Sequence, residues 1–283
     1  MIPLASKAAV VAVFVLLGAA EAVLGRFRSR EQTTRDDVIL DVGSNIVVPF
    51  LVLPAVLWCA HTLAATLIPG TQDMWAAWPA WLMWAVLFVG DDLSQYLWHR
   101  LSHTSWLYPL HRAHHSAGYM SVRIVYRNNL IYYAMMPSLW VSGVLVYWGL
   151  GPAYVLYLVA KMAVIVSAHS SVPWDAPLRR YRLTRPLIWV LERLISTPST
   201  HAAHHGLHEA DGVTHYRGNY GNFLFLWDVL FGTAHITGRR PSDFGIEGLE
   251  PVGWSRELLW PARAVHTDND PVAHTNPPRV GGA

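Results

Sequence analysis

The chain has 283 residues, 53% of them hydrophobic and only 14% charged, with fourteen tryptophans and a formal net charge of +2. This is too apolar for an ordinary soluble domain and directs the reading to a membrane protein, with no nucleic-acid partner expected. The one cysteine, Cys59, sits alone in an apolar run, which excludes a structural disulfide, a thiolate cluster and an iron–sulfur site.

Apolar runs at residues 8–25, 45–69, 74–90, 130–149 and 152–168 each approach the roughly 20 residues that a bilayer-crossing helix needs. They predict an all-α integral membrane protein with about four to five transmembrane helices. The first run resembles a signal peptide, with Lys7 ahead of it and Ala20-Glu21-Ala22 as a small-residue cleavage site. Basic residues follow it, however, so it is read as a retained anchor. Arg26, Arg28, Arg30 and Arg35 follow the first run, Arg100, Arg112, Arg123 and Arg127 the third, and Arg179, Arg180, Arg182, Arg185 and Arg193 the fifth. The loops Gly70 to Asp73 and Gly149 to Pro152 contain no Lys or Arg. Five spans with the amino terminus outside satisfy this pattern. Glu21, His61 and Lys161 are the strong polar intrusions, and Lys161 is expected to face the bundle interior or a polar cavity.

Eight of the fifteen histidines fall in three clusters: His99 and His103; His111, His114 and His115; His201, His204 and His205. Residues three or four apart share a helix face, with Cβ atoms about 5–6 Å apart, so each cluster presents a set of ligands to one ion. Adjacent helical residues differ by about 100°, so His111 with His115 would face one ion while His114 turns toward another. Two metals suit this number of imidazoles better than one, and imidazole serves iron, zinc, copper or nickel. One isolated His-x-x-x-His is most often an ordinary surface or core pair, but three clusters in one chain are not. A b-type haem needs single histidines on separate helices. A hydrolytic zinc site needs only three or four ligands. A metal transporter would place its ligands in the middle of the spans, and these lie beyond the span ends among arginines.

Around the clusters, Asp92, Tyr96, His99 and His103 repeat along one helical face, and Asp92 is expected to accept the second ring N–H of a ligating histidine. Pro109 should start a new helix carrying the second cluster. Thr197 as cap, Pro198 at the first helical position and Gly206 as stop delimit a short helix around the third. Asn219-Tyr220-Gly221 reads as a turn, and Phe223 to Phe231 as an amphipathic or interfacial helix ended by Gly232. Arg123 and Arg127 are read as marking topology and contacting anionic lipid rather than steering a headgroup or partner. The tail from about Asp268, rich in proline and glycine, has little to bury and is expected to be disordered.

These features resemble the sterol desaturase and fatty acid hydroxylase superfamily of integral membrane di-iron enzymes over residues 85–235. The motifs are Asp92-x6-His99-Arg100-Leu101-Ser102-His103, His111-Arg112-Ala113-His114-His115-Ser116, Ala168-His169-Ser170, and Pro198-Ser199-Thr200-His201-Ala202-Ala203-His204-His205-Gly206. Asn219-Tyr220-Gly221 and Trp227-Asp228-x2-Phe231-Gly232-Thr233 complete the pattern. Arg127-Asn128-Asn129 departs from the sterol-desaturase form, and the layout looks closer to the alkylglycerol-monooxygenase-like and bacterial lipid hydroxylase branches.

The resemblance implies a helical membrane domain over residues 1–235 with a cytosolic helical cap holding two iron ions, and a cytosolic tail over 236–283. It implies His169 as a ninth metal ligand, O2 as co-substrate and hydroxylation of a lipid C–H bond. A desaturase using the same centre is the near alternative, and a membrane metal-handling protein the alternative from another class. His208, His215 and His235 match no ligand position. With no nucleotide-binding fingerprint in the chain, electrons are expected from a ferredoxin or flavoprotein reductase docking on the cap. The expected location is a bacterial inner membrane, with the histidines on the cytoplasmic side.

Overall fold

The computed structural model describes residues 4–26, 33–250 and 252–260, so the expected disorder of the extreme tail lies outside the described residues. All named elements among them are helical: α1 Leu4–Val23, α2 Arg35–Leu67, α3 over residues 80–102, α4 Tyr108–His115, α5 Leu130–Met135, α6 Pro137–Leu145, α7 Gly151–His169, α8 Asp175–Arg180, α9 Arg185–Leu194, α10 Pro198–His204, α11 Leu226–Phe231 and α12 Trp254–Leu259. Among the described residues, extended pairing is limited to two isolated bridges, Ile195 with Leu224 and Gly206 with Phe244.

Two helical stretches, Arg35–Leu67 and Pro137–His169, are long and apolar enough to cross a membrane. Helix α2 begins well ahead of its apolar run because Thr34 and Asp37 form a reciprocal capping box. The second stretch folds back on itself at Gly149, whose φ of 103° only glycine adopts readily. Leu145 before the bend and Lys161 after it both reach the level of Gly90 and Asp91 on α3. A straight helix would hold them about 24 Å apart. The glycine also has no room for a side chain, since a Cβ would lie 2.8 Å from the backbone nitrogen of Ala76.

The apolar run at 74–90 is helical only from Ala80, because Pro79 sets the entry and the residues before it pack as a cap. There Trp75 stacks on Trp78 and meets Trp148 edge-on, closing the end of the bundle around Gly149. At the opposite end Glu21 of α1 is fully buried and accepts from the hydroxyls of Ser121 and Ser170 and the backbone N–H groups of Val122 and Ser171. That end is where all three histidine clusters gather. Residues beyond 235 return to it: Phe244 packs on the buried group that includes Ala117, Tyr119 and Ala202, while Glu257 of α12 forms an ion pair with the wholly buried Arg112.

Candidate metal centre

The nine histidines expected at the site form two groups. His99, His103, His111, His115 and His204 make one, and His114, His169, His201 and His205 the other, with ligand atoms within 4.8 Å of one another in each. Each His-x-x-His-His triplet is divided by helix geometry. The i, i+4 pair His111 and His115 serves the first group and His114 the second, whereas the pair His201 and His205 serves the second and His204 the first. A 100° step between neighbours turns their rings to different sides of one short helix. Thr197 caps α10 through a capping box with Thr200, and Pro198 occupies its first turn.

The outer nitrogens of the rings are held by acceptors. His99 Nδ1 lies 2.6 Å from the Tyr220 carbonyl, His204 Nδ1 2.7 Å from that of Gly218, His114 Nδ1 3.1 Å from that of Arg127 and His169 Nδ1 2.8 Å from that of Ile165. A carbonyl only accepts, so each Nδ1 carries the proton and each neutral ring presents a bare Nε2 lone pair. Yet the Nε2 atoms of His99 and His204 face each other at 3.0 Å, and those of His114 and His169 at 3.4 Å. Opposed lone pairs at that separation need a cation to accept them. Protons are poor candidates, because burial pushes the pKa of His204 and His114 well below 6.5. His103 Nε2 and His205 Nε2 are also buried with no hydrogen-bond partner among the described residues. The donor set therefore fits metal ions, one per group.

A profile described as fatty acid hydroxylase matches residues 84–233, just over half of the chain. The chain belongs to the fatty acid hydroxylase family. Among curated relatives it is 28% identical over 187 residues to alkylglycerol monooxygenase of Danio rerio, covering 64% of this chain and 37% of that one. It is 29% identical over 187 residues to ornithine lipid hydroxylase OlsE of Rhizobium tropici, covering 65% of this chain and 51% of that one. It is 23% identical over 209 residues to very-long-chain aldehyde decarbonylase GL1-6 of Oryza sativa subsp. indica, covering 70% and 30%. The matched part thus spans about a third to a half of these relatives. No solved structure matches.

The carboxylate expected beside the family's histidines is bound elsewhere, and a different one orders the segment that holds His99. Among the described residues Asp92 hydrogen-bonds no imidazole: its Oδ2 accepts from the backbone N–H of Leu224 at 3.2 Å and from Trp227 Nε1 at 2.8 Å, pinning the segment that leads into α11. Leu224 pairs with Ile195 in an extended bridge and the Phe223 carbonyl accepts from the Ser196 N–H, so α11 starts only at Leu226 and is shorter than the apolar pattern predicts. The carboxylate that shapes the His99 partner is Asp228, which accepts from the backbone N–H groups of Tyr220 at 2.8 Å and Gly221 at 2.6 Å. Asn219 adopts φ 56°, and its side chain bridges to the carbonyls of Thr200 and His235, so the expected turn is a tied one. His111 rests on Asn128, 3.1 Å from Nδ1.

The reading of Arg127 as a topology marker at the lipid face is corrected. Arg127 is buried, pairs with Asp37 at 2.7 Å and Asp41 at 3.1 Å, and donates to the Ala113 carbonyl and the Ser116 hydroxyl. Arg123 lies 3.6 Å from Asp41 and over the Tyr119 ring, partly buried against the fold. His208, His215 and His235 lie outside both imidazole groups, as expected.

Burial holds His111, His114, His115, His201, His204 and His205 well below their ordinary pKa of 6.5. The folded chain keeps these rings neutral, whereas the unfolded chain takes up protons as pH falls through about 6.5. Their contribution is fully present above that pH and is lost below it, at about 1.4 kcal/mol per pH unit for each ring. Metal-stripped protein should therefore melt at a steady temperature above about pH 7 and fall steeply below about pH 6.5. A melting temperature flat down to about pH 5 would show that the rings accept protons in place, contrary to their burial.

Proposed function

We propose that this chain is a membrane-embedded lipid hydroxylase in which the nine histidines hold two iron ions and O2 is the co-substrate. The observation that carries the reading is the contact between the two imidazole groups and a cavity of about 90 Å³. His99 and His111 of the first group and His114 and His169 of the second line it together, with apolar residues including Leu53, Leu139, Leu158 and Ile165. A chain lying there would bring a C–H bond beside both groups. Family membership and relatives named as a monooxygenase and a lipid hydroxylase support the same chemistry.

When bound, the irons supply the activation of O2, and the protein supplies position and exclusion of water. The carbonyls of Tyr220, Gly218, Arg127 and Ile165 hold four rings in one tautomer, so their donor atoms are oriented before any metal arrives. The ordered shell of Asp228, Asn219 and Asn128 keeps those carbonyl and amide partners in place. Replacing C–H by C–OH with O2 releases the second oxygen atom as water and consumes two electrons and two protons. An external ferredoxin or flavoprotein reductase is the proposed donor.

The apolar helices serve as membrane spans in this reading, with the histidine end toward the cytoplasm, as in a bacterial inner-membrane protein. Exposed Leu183, Leu187, Trp189 and Leu230 on and beside α9 and α11 suit the lipid interface there. Residues 1–235 act as one domain, against which Phe244 and Glu257 pack from the described residues beyond it.

The test is metal analysis of detergent-purified protein together with mass spectrometry of lipids from cells with and without the gene, grown in air. Two irons per chain and a lipid that gains one oxygen are expected. A lipid that loses two hydrogens instead would replace hydroxylation with desaturation. Absence of iron, or iron with no oxygen-dependent lipid change, would overturn the reading in favour of metal handling.

A further inference from the structure

The cavity is more polar than an alkyl slot needs to be. Along α7, Tyr154, Leu158, Lys161, Met162, Ile165 and His169 line it as one face, and along α3 Asp91, Gln95 and His99 line it at every fourth residue. Lys161 Nζ lies 2.8 Å from Asp91 Oδ2, with the two residues 6% and 3% exposed. The eight residues from Lys161 to His169 span about 12 Å of helix axis, so the pair sits two turns from the imidazoles. A buried ion pair is weak evidence for stability, since apolar replacements of similar volume are often no worse. An ionisable residue within an apolar bundle points instead to use by a ligand.

We propose that Asp91, Lys161 and Gln95 form a polar recess that binds a neutral hydrogen-bonding group of the lipid, a hydroxyl or an amide. The lipid is then oxidised at a carbon about 12 Å from that group. The position of that carbon rests on the hydroxylase reading above, while the recess does not. Lys161 gives one hydrogen bond to Asp91, and an ammonium carries three donors. Gln95 Oε1 is buried and finds no donor among the described residues. A donor with spare capacity and an unpartnered acceptor lining one cavity match a hydroxyl or amide, each of which both donates and accepts. A carboxylate only accepts, and it would bring a charge that Lys161, already neutralised by Asp91, does not compensate. A plain alkyl chain would leave the recess unsatisfied, which is the expensive case for buried polar groups.

The experiment measures binding to iron-free protein of four probes of equal chain length: a monoalkylglycerol, an N-methyl amide, a fatty acid and an alkane. Wild type should bind a neutral polar probe about tenfold more tightly than the acid or the alkane. Gln95→Leu, which leaves the ion pair intact, and the paired apolar replacement Asp91→Leu with Lys161→Met should each remove that preference. Both should still take up iron. Equal affinities in wild type, or a preference that survives in both variants, would overturn the recess. Iron-loaded wild type that oxidises none of the probes while the preference holds and falls with the variants would leave the recess standing and sink the hydroxylase reading.

Discussion

Replacing His114 by alanine is expected to abolish lipid oxidation and to lower bound iron to near one per chain, with membrane insertion unchanged. His114 is one of four imidazoles in its group, its ring centroid lies 4.6 Å from that of His205, and its Nε2 faces that of His169 at 3.4 Å. It also lines the cavity. Losing it leaves three donors and opens one side of the site to the substrate space. Residues that only orient ligands typically cost about 10–100-fold when changed, so a direct donor should cost more. Iron analysis, turnover and membrane fractionation of the variant separate a lost ligand from a misfolded chain. Full iron and full turnover would remove His114 from the ligand set and with it the two-group centre.

The imidazole grouping was legible because it depends on spacing within short helices, and helix geometry converts spacing into direction. His111 and His115 had to share a side, and His114 had to leave it. The loop read between the fourth and fifth apolar runs coincides with the bend at Gly149, because glycine takes the φ that the bend needs. What spacing could not reveal was which distant groups complete each contact. Asp92 lies in register with His99, yet its carboxylate is taken by Leu224 and Trp227, more than a hundred residues downstream. Arg112 and Arg127 follow an apolar run, as surface charges at a membrane do, but Glu257, Asp37 and Asp41 come to them from remote helices and draw them inside. A charge with an unseen partner looks the same in sequence as a charge in water. The π-helical turn at residues 88–93, which holds both Asp91 and Asp92, is another feature that the apolar pattern does not signal.

Arg127→Leu is expected to destabilise the fold by about 3–5 kcal/mol, the usual result of taking one partner out of a buried ion pair. Asp41 is 3% exposed, and its remaining partners are the Tyr119 hydroxyl at 2.6 Å and the more distant Arg123. Against a total stability of about 5–15 kcal/mol, this loss should sharply reduce accumulation of folded protein. Arg127→Lys keeps the charge but not the fork that reaches Asp37, Asp41, Ser116 and the Ala113 carbonyl at once, so it should be intermediate. Adding Asp41→Asn to Arg127→Leu should recover part of the loss by removing the stranded charge. The same residue's carbonyl holds the His114 ring, so the lysine variant should also release iron from the second group before the first. Melting in detergent and iron per chain would measure both effects. A leucine variant that melts like wild type with iron intact would mean that the pairing of α2 with the second cluster contributes neither stability nor ligand placement.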